Sequence, residues 1–269
     1  KTEFRDSLKK LPMTVKRIAG AFRLEILKGE IDYDAPRLVG HVLTKEEIEY
    51  IENDVLIVAK ALRIQLMAGM TKLTVGADSM AEYKKLFGTA FNTCFPVLSE
   101  SMDSEIRRAY RGGWTYADPR FRGVIQKRPI RVYDVNSLYP SVMYDRLLPY
   151  GDPVWVNGYP EPTDDYPLYV TSITFTAKLK PDHVPCIQIK NHRFIQNAEY
   201  VSEIVEPLTV TCTNVDLALW QDHYDMDIIS YDGAWMFKGM EGAFSQYIDK
   251  WMQVEATTEG GLRGIAKLH

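Results

Sequence analysis

Residues 130–151, IRVYDVNSLYPSVMYDRLLPYG, leave the backbone around them few choices. Ile130, Val132 and Val135 favour an extended strand, and the polar pair Asn136 and Ser137 ends it and can cap a helix after it. Leu138, Val142 and Met143 then return at helical spacing. The stretch predicts a strand that carries Asp134 to a tight turn, with a helix starting near Ser137. A carboxylate at a strand end, beside the free N–H groups of a helix start, suits a divalent cation and the phosphates it bridges. Tyr139, further along the same turn, would stand over such a site as a flat wall against a sugar or base. The pattern equally fits a plain strand-turn-helix in which Asp134 only caps.

Bulk properties narrow the setting. At 269 residues the chain can bury a large core and is expected to hold two or more substructures. It contains no run of eighteen apolar residues and starts with no signal peptide, which predicts a cytoplasmic protein with no membrane partner. Cys94, Cys186 and Cys212 lack CxxC spacing and read as buried, reduced thiols; the five histidines show no ligand pattern, so zinc is not expected. The net charge of −4 argues against a nucleic-acid binder, but placement matters more than the total. From Glu105 to Arg131, eight basic residues (Arg107, Arg108, Arg111, Arg120, Arg122, Lys127, Arg128, Arg131) face two acids, Glu105 and Asp118. Tyr110, Trp114, Tyr116 and Phe121 are interleaved, a mixture suited to tracking a backbone and stacking bases, although a charge run alone is commonly a solvated face.

Along the chain, Ser7 to Phe22 carries Leu8, Leu11, Val15, Ile18, Ala19 and Phe22 at helical intervals and predicts an amphipathic helix. Lys28-Gly29 suggests a turn into a short extended segment reaching Tyr33. Thr44 caps a long helix, Glu47 completes a capping box, and Gly69 is a natural stop. Its expected buried stripe is Ile48, Ile51, Val55, Val58, Leu62 and Leu66. Tyr50 and Asp54 share a face of that helix, a phenol that can orient a water beside a carboxylate that can bind a metal. Phe87, Phe91 and Phe95 read as core, and the paired glycines of Tyr110-Arg111-Gly112-Gly113 either let a ligand approach the backbone closely or form a simple turn.

Five prolines between residues 149 and 167 predict loops there. Strands are expected at 168–177, 184–189, 208–212 and 228–237, with a short helix from Asn214 to Tyr224 capped near Thr213. An amphipathic helix is expected next, at 244–254. A second, from about Thr258, carries Arg263 and Lys267 on one face, an arrangement that suits a triphosphate and also a solvated basic face; Gly260, Gly261 and Gly264 make it intrinsically weak.

Asp134-Val135-Asn136-Ser137-Leu138-Tyr139-Pro140-Ser141 resembles motif A of family B DNA polymerases, in the form carried by the protein-primed polymerases of bacteriophages. The resemblance implies that Asp134, with the Val135 backbone, holds the catalytic Mg2+ (or Mn2+). It implies that Val135, Ser137 and Leu138 contact the incoming deoxynucleoside triphosphate, and that Tyr139 excludes a 2′-hydroxyl. Ser7, Leu8 and Leu11 match an element that holds a single-stranded primer end. Lys28, Tyr50 and Asp54 match 3′–5′ exonuclease residues, with Asp54 a metal ligand and Tyr33 a contact to the strand. Tyr110, Arg111, Gly112 and Gly113 match a template-binding YxGG that balances synthesis against proofreading. Lys267 matches a triphosphate-binding lysine, Arg263 keeps a phosphate-contacting charge, and Glu255 stands where a basic residue is usual.

The implied class is α+β. Residues 1–74 would end an RNase H-like exonuclease domain, 75–145 would form the first half of the palm, 146–243 a β-rich terminal-protein region, and 244–269 the start of helical fingers. Template and primer DNA, dNTPs and a terminal priming protein are the implied partners, in the host cytoplasm, for a phage or prophage enzyme. Motif B, the second polymerase carboxylate and the first two exonuclease motifs are missing, so the chain is expected to be a fragment that is inactive alone. The competing reading is a non-catalytic module that binds DNA or the priming protein. An unrelated metal-dependent phosphohydrolase would need a second acid cluster, and Asp145, Asp164 and Asp165 form no recognisable one.

Overall fold

The computed structural model describes residues 5–190 and 198–266. They form two compact units, Lys1–Gly88 with Phe244–His269, and Thr89–Ala243. In chain order the helices are α1 (Val15–Ala21), α2 (Lys45–Met67), α3 (Val75–Phe87), α4 (Phe91–Cys94), α5 (Glu100–Arg107), α6 (Leu138–Asp145), α7 (Asn214–His223), α8 (Ser245–Thr257) and α9 (Gly260–Ala266). The strands are β1 (Leu148–Val156), β2 (Leu168–Leu179), β3 (Gln188–Lys190), β4 (Ala198–Tyr200), β5 (Glu203–Thr213) and β6 (Tyr224–Met240). No helix among the described residues is long and apolar enough to cross a membrane.

The first unit is helical. The expected capping box starts α2: the Thr44 hydroxyl accepts from the Glu47 amide at 3.2 Å, and the Glu47 carboxylate accepts from the Thr44 amide at 2.9 Å. Ala68 caps the other end and Gly69, at φ 86°, turns the chain away. The buried stripe differs from the expected one. Ile57, Ala61 and Gln65 are buried, with Val58, Leu62 and Ile64 alongside, whereas Ile48, Ile51, Val55 and Leu66 are exposed. Helix α2 is apolar on more than one face, and α1 and α9 cover the Ile57 face. Leu11, Ile18, Phe22, Trp251 and Ile265 complete this core.

The helix expected from Ser7 is confined to Val15–Ala21. Pro12 cannot continue a helical ladder, so Ser7 to Leu11 form a separate turn with the Ser7 carbonyl accepting from Lys10 and Leu11. Thr14 then caps α1 afresh. The weak helix α9 is held by its neighbours: a Cβ at Gly264 would come within 2.8 Å of the Ala21 carbonyl oxygen, and one at Gly261 within 2.7 Å of Ile64. Its glycines are where it touches.

The second unit is built on a four-stranded antiparallel sheet in the order β1-β6-β2-β5, with β3 and β4 pairing separately. Strand β2 alternates as its sequence predicts. Thr171, Ile173, Phe175 and Ala177 are buried, while Ser172 and Thr174 on the other face bond their hydroxyls to Thr211 and Thr209 of β5, both at 2.8 Å. Helix α7, capped by Thr213 with Asp216 closing a capping box, lays Leu217 and Trp220 on the buried face, where Trp220 stacks on Phe175.

Several expectations fail in this unit. The strand expected over 184–189 starts only at Gln188, and Cys94 and Cys186 are half-buried rather than buried. Two further differences concern β1 and the stretch before α6. Strand β1 runs through Pro149 and Pro153, which the sequence assigned to loops. It is an edge strand, where a missing N–H costs no ladder bond, and Pro153 lies in a bulge between Tyr150 and Val154. Conversely, residues 131–135 form no strand: they are exposed, and the described residues offer them no ladder partner. Propensity cannot supply a neighbour.

Candidate functional site

Four side chains of the first unit converge where the 26–33 segment passes α2. Lys28 Nζ lies 3.4 Å from Asp54 Oδ2 and 5.2 Å from the centre of the Tyr50 ring. The hydroxyls of Tyr33 and Tyr50 are hydrogen-bonded, with the rings edge-on at 6.3 Å. Residues 50 and 54 share a face because α2 brings every fourth residue round. Gly29 of the 26–33 segment lies against the Tyr50 ring; a Cβ there would sit at an ordinary contact distance of 3.5 Å.

The electrostatics suit an anion-handling site. Contact with the Tyr50 hydroxyl, and then with the Asp54 carboxylate, raises the Lys28 ammonium well above the ordinary lysine range despite some desolvation, so it stays charged. Lys28 pulls the Tyr50 phenol down, but the Tyr33 bond, burial and Asp54 push it further up, so Tyr50 is a neutral donor near pH 7. Asp54 Oδ1 is buried and has no hydrogen-bond partner. A buried carboxylate oxygen left unmet is costly, and a cation would satisfy it. Asp54 therefore fits one position of a divalent metal site.

The remaining candidates lie elsewhere. Ser7 is half-buried in its turn and Leu8 is exposed. Asp134, Val135, Leu138 and Tyr139 are all exposed. Ser137 precedes α6 in the left-handed conformation, φ 51° and ψ 46°, and its side chain makes no capping bond. No group of three or more His, Cys, Asp or Glu side chains able to hold a metal occurs among the described residues. Tyr110, Gly112 and Gly113 are exposed, but the Arg111 guanidinium is turned into the fold, with NH2 donating to the Thr211 carbonyl and NH1 to that of Arg108, both at 2.7 Å. Arg263 lies 3.9 Å from Glu255, a pairing that i, i+4 spacing does not suggest because the two residues sit on different helices. Lys267 lies outside the described residues.

The family described as DNA polymerase type B, organellar and viral, matches residues 1–269. The chain belongs to that family. It is 46% identical over 268 residues to the DNA polymerase of Bacillus phage B103 and 44% identical to that of Bacillus phage phi29, covering 98% of this chain and 46% of each relative. The DNA polymerase of Streptococcus phage Cp-1 is 31% identical over 258 residues. The chain thus spans about half the length of these relatives. Among solved structures, the orthorhombic form of Phi29 DNA polymerase superposes with a TM-score of 0.90 at 43% identity, covering 98% of this chain and 46% of that one. The Phi29 polymerase in complex with primer-template DNA and incoming nucleotides gives 0.85, also at 43% identity. The mixed α and β architecture is that of part of a phage type B polymerase.

Proposed function

We propose that residues 1–269 are the central part of a protein-primed DNA-directed DNA polymerase that also proofreads. In this reading residues 1–74 end the exonuclease domain, 75–145 form the first half of the palm, 146–243 the first terminal-protein region and 244–269 the start of the fingers. The observation that carries it is the Lys28–Asp54–Tyr50–Tyr33 cluster with its unmet Asp54 oxygen, which combines a metal ligand, a fixed cation and a water-orienting phenol. Family membership supplies the substrate class.

At the exonuclease site, Asp54 would share in holding Mg2+ or Mn2+, which when bound polarises the scissile phosphate and acidifies a water. The Tyr50 hydroxyl orients that water, the Lys28 ammonium offsets charge on the phosphate, and Tyr33, Ser7 and Leu8 steady the single strand. At the polymerase site, Asp134 and the Val135 carbonyl would hold the metal, Ser137 and Leu138 offer backbone N–H groups to the triphosphate, and Tyr139 gates the sugar. Arg263 and Lys267 would meet the phosphates, and Tyr110 to Gly113 the template. The priming protein would bind the 146–243 region, and the enzyme would work in the host cytoplasm.

In the polymerase that carries this segment, Asp54→Ala should abolish metal-dependent 3′–5′ degradation and leave synthesis, and Asp134→Ala should do the reverse. Loss of neither activity would overturn the assignment.

The exposure of Asp134, with no acid cluster among the described residues, favours a second reading for the chain by itself: a non-catalytic module that binds DNA or the priming protein. Titrating labelled single-stranded DNA at two salt concentrations tests it, since no binding at low salt would remove the DNA-contact argument.

A further inference from the structure

The second unit contains a cavity of about 350 Å³ to which the Lys28–Asp54 cluster contributes nothing. Trp114, Tyr200 and Trp220 form its aromatic walls, with Val184 and Leu219 between them. The Trp114 indole donates Nε1–H to the Pro185 carbonyl at 3.1 Å, and the Tyr200 hydroxyl accepts from the Thr115 amide at 3.1 Å. With their polar atoms engaged, these rings present apolar surface. Trp114 leans on Tyr116 at 5.6 Å and meets Tyr200 edge-on at 6.2 Å, so its plane is fixed; Trp220 is backed by Phe175 at 5.9 Å. Burial pushes the Cys186 thiol on the wall up to about 11, so it brings no charge.

Polar side chains also reach this lining: Gln188, Asp216 and His223 stand among the apolar walls. Arg111 also borders the cavity, and its Nε is buried without a hydrogen-bond partner although both terminal nitrogens are used. A guanidinium N–H left unmet is costly, and an acceptor on a ligand would satisfy it. Aliphatic ligands carry no such acceptor. A bare phosphate would have to shed its water among aromatic rings. A flat ring with acceptors on its edge meets both demands, and the volume suits one nucleoside. The segment that leaves the cavity carries Arg120, Arg122, Lys127, Arg128 and Arg131, all exposed, against the single acid Asp118. An exposed basic segment of this kind suits a phosphodiester backbone.

We infer that this cavity holds one unstacked nucleobase, either of a single strand passing along the basic segment or of a free nucleotide. The inference rests on the proposed polymerase reading only for the strand as the source of that base.

The test uses the full chain and two fluorescent probes, free 2-aminopurine riboside and an oligothymidylate with one internal 2-aminopurine, with total oligonucleotide binding followed separately by anisotropy. Val184→Phe and Leu219→Phe fill the cavity from side chains more than 40% exposed, which the fold tolerates. Saturable quenching of the riboside that weakens about tenfold in both variants supports the pocket and a free nucleotide. Quenching only within the oligonucleotide, lost in the variants while anisotropy changes less, supports the pocket and a strand. Tight, salt-dependent oligonucleotide binding with no variant-sensitive quenching of either probe overturns the pocket and leaves the polymerase reading standing. Riboside quenching without oligonucleotide binding keeps the pocket and counts against that reading. No quenching and no binding sinks both.

Discussion

Lys10 and Asp78 form a buried ion pair that ties the turn carrying Ser7 and Leu8 to the start of α3. The Lys10 ammonium donates to the carbonyls of Met70 at 2.8 Å and Lys72 at 2.9 Å as well as to Asp78 Oδ2, while Asp78 Oδ1 accepts from the Lys72 amide at 2.8 Å. All three ammonium protons are used. Removing one partner strands the other charge away from water, so Lys10→Met and Asp78→Leu should each cost about 3–5 kcal/mol, and the two replacements together less than their sum. Urea denaturation curves for the three variants check this.

At the cluster on α2, Tyr50→Phe removes the hydroxyl but keeps the ring against Gly29 and Lys28. Exonuclease turnover in the intact polymerase should fall about 10²-fold with the melting temperature little changed. A fall in stability that matches the fall in rate would mean that Tyr50 only packs.

Tyr139 is exposed beside the left-handed Ser137. Tyr139→Val in the intact enzyme should weaken discrimination against ribonucleotides in primer extension. Unchanged sugar selectivity would count against the gate.

Glu47 accepts from His41 at 2.7 Å, from the Thr44 amide and from Arg37 at 2.6 Å. In that order these contacts lower its carboxyl from the usual 4.5 to about 2. A depressed folded-state value means that the contribution to stability is complete above pH 4.5 and is lost as pH falls through about 2. Carbonyl NMR titration should place the Glu47 midpoint near 2, and His41→Ala should move it upward.

Gly264 meets the Ala21 carbonyl and Phe22 so closely that Gly264→Ala must shift backbone. It should destabilise the first unit by about 1–3 kcal/mol despite the better helix propensity of alanine. A more stable Gly264→Ala protein would show that α9 sits apart from α1.

The features legible in the sequence are local. The Thr44–Glu47 and Thr213–Asp216 boxes, the alternation of β2 and the shared face of Tyr50 and Asp54 depend on residues a few positions apart, and each was readable. The features that stayed hidden depend on distant partners. Residues 130–135 have strand propensity but no ladder, Pro149 is admitted only because β1 lies at an edge, and the buried face of α2 was decided by α1 and α9. Spacing alone could not bring Lys28 to Asp54 or Tyr33 to Tyr50; only the resemblance to motif-bearing polymerases grouped them. Neither the Lys10–Asp78 pair nor the Arg111-lined cavity had any signature short enough to read.

The prolines of the sheet have a last consequence. Pro149 and Pro153 lie in β1, and Pro207 falls in the irregular stretch of β5 opposite Thr176, so both outer strands are interrupted. Neither rim offers an unbroken row of amides to an incoming chain. Concentrated protein should therefore resist stacking into fibrils through this sheet, and a protein that docks on either of its rims has to grip side chains rather than add itself as another strand.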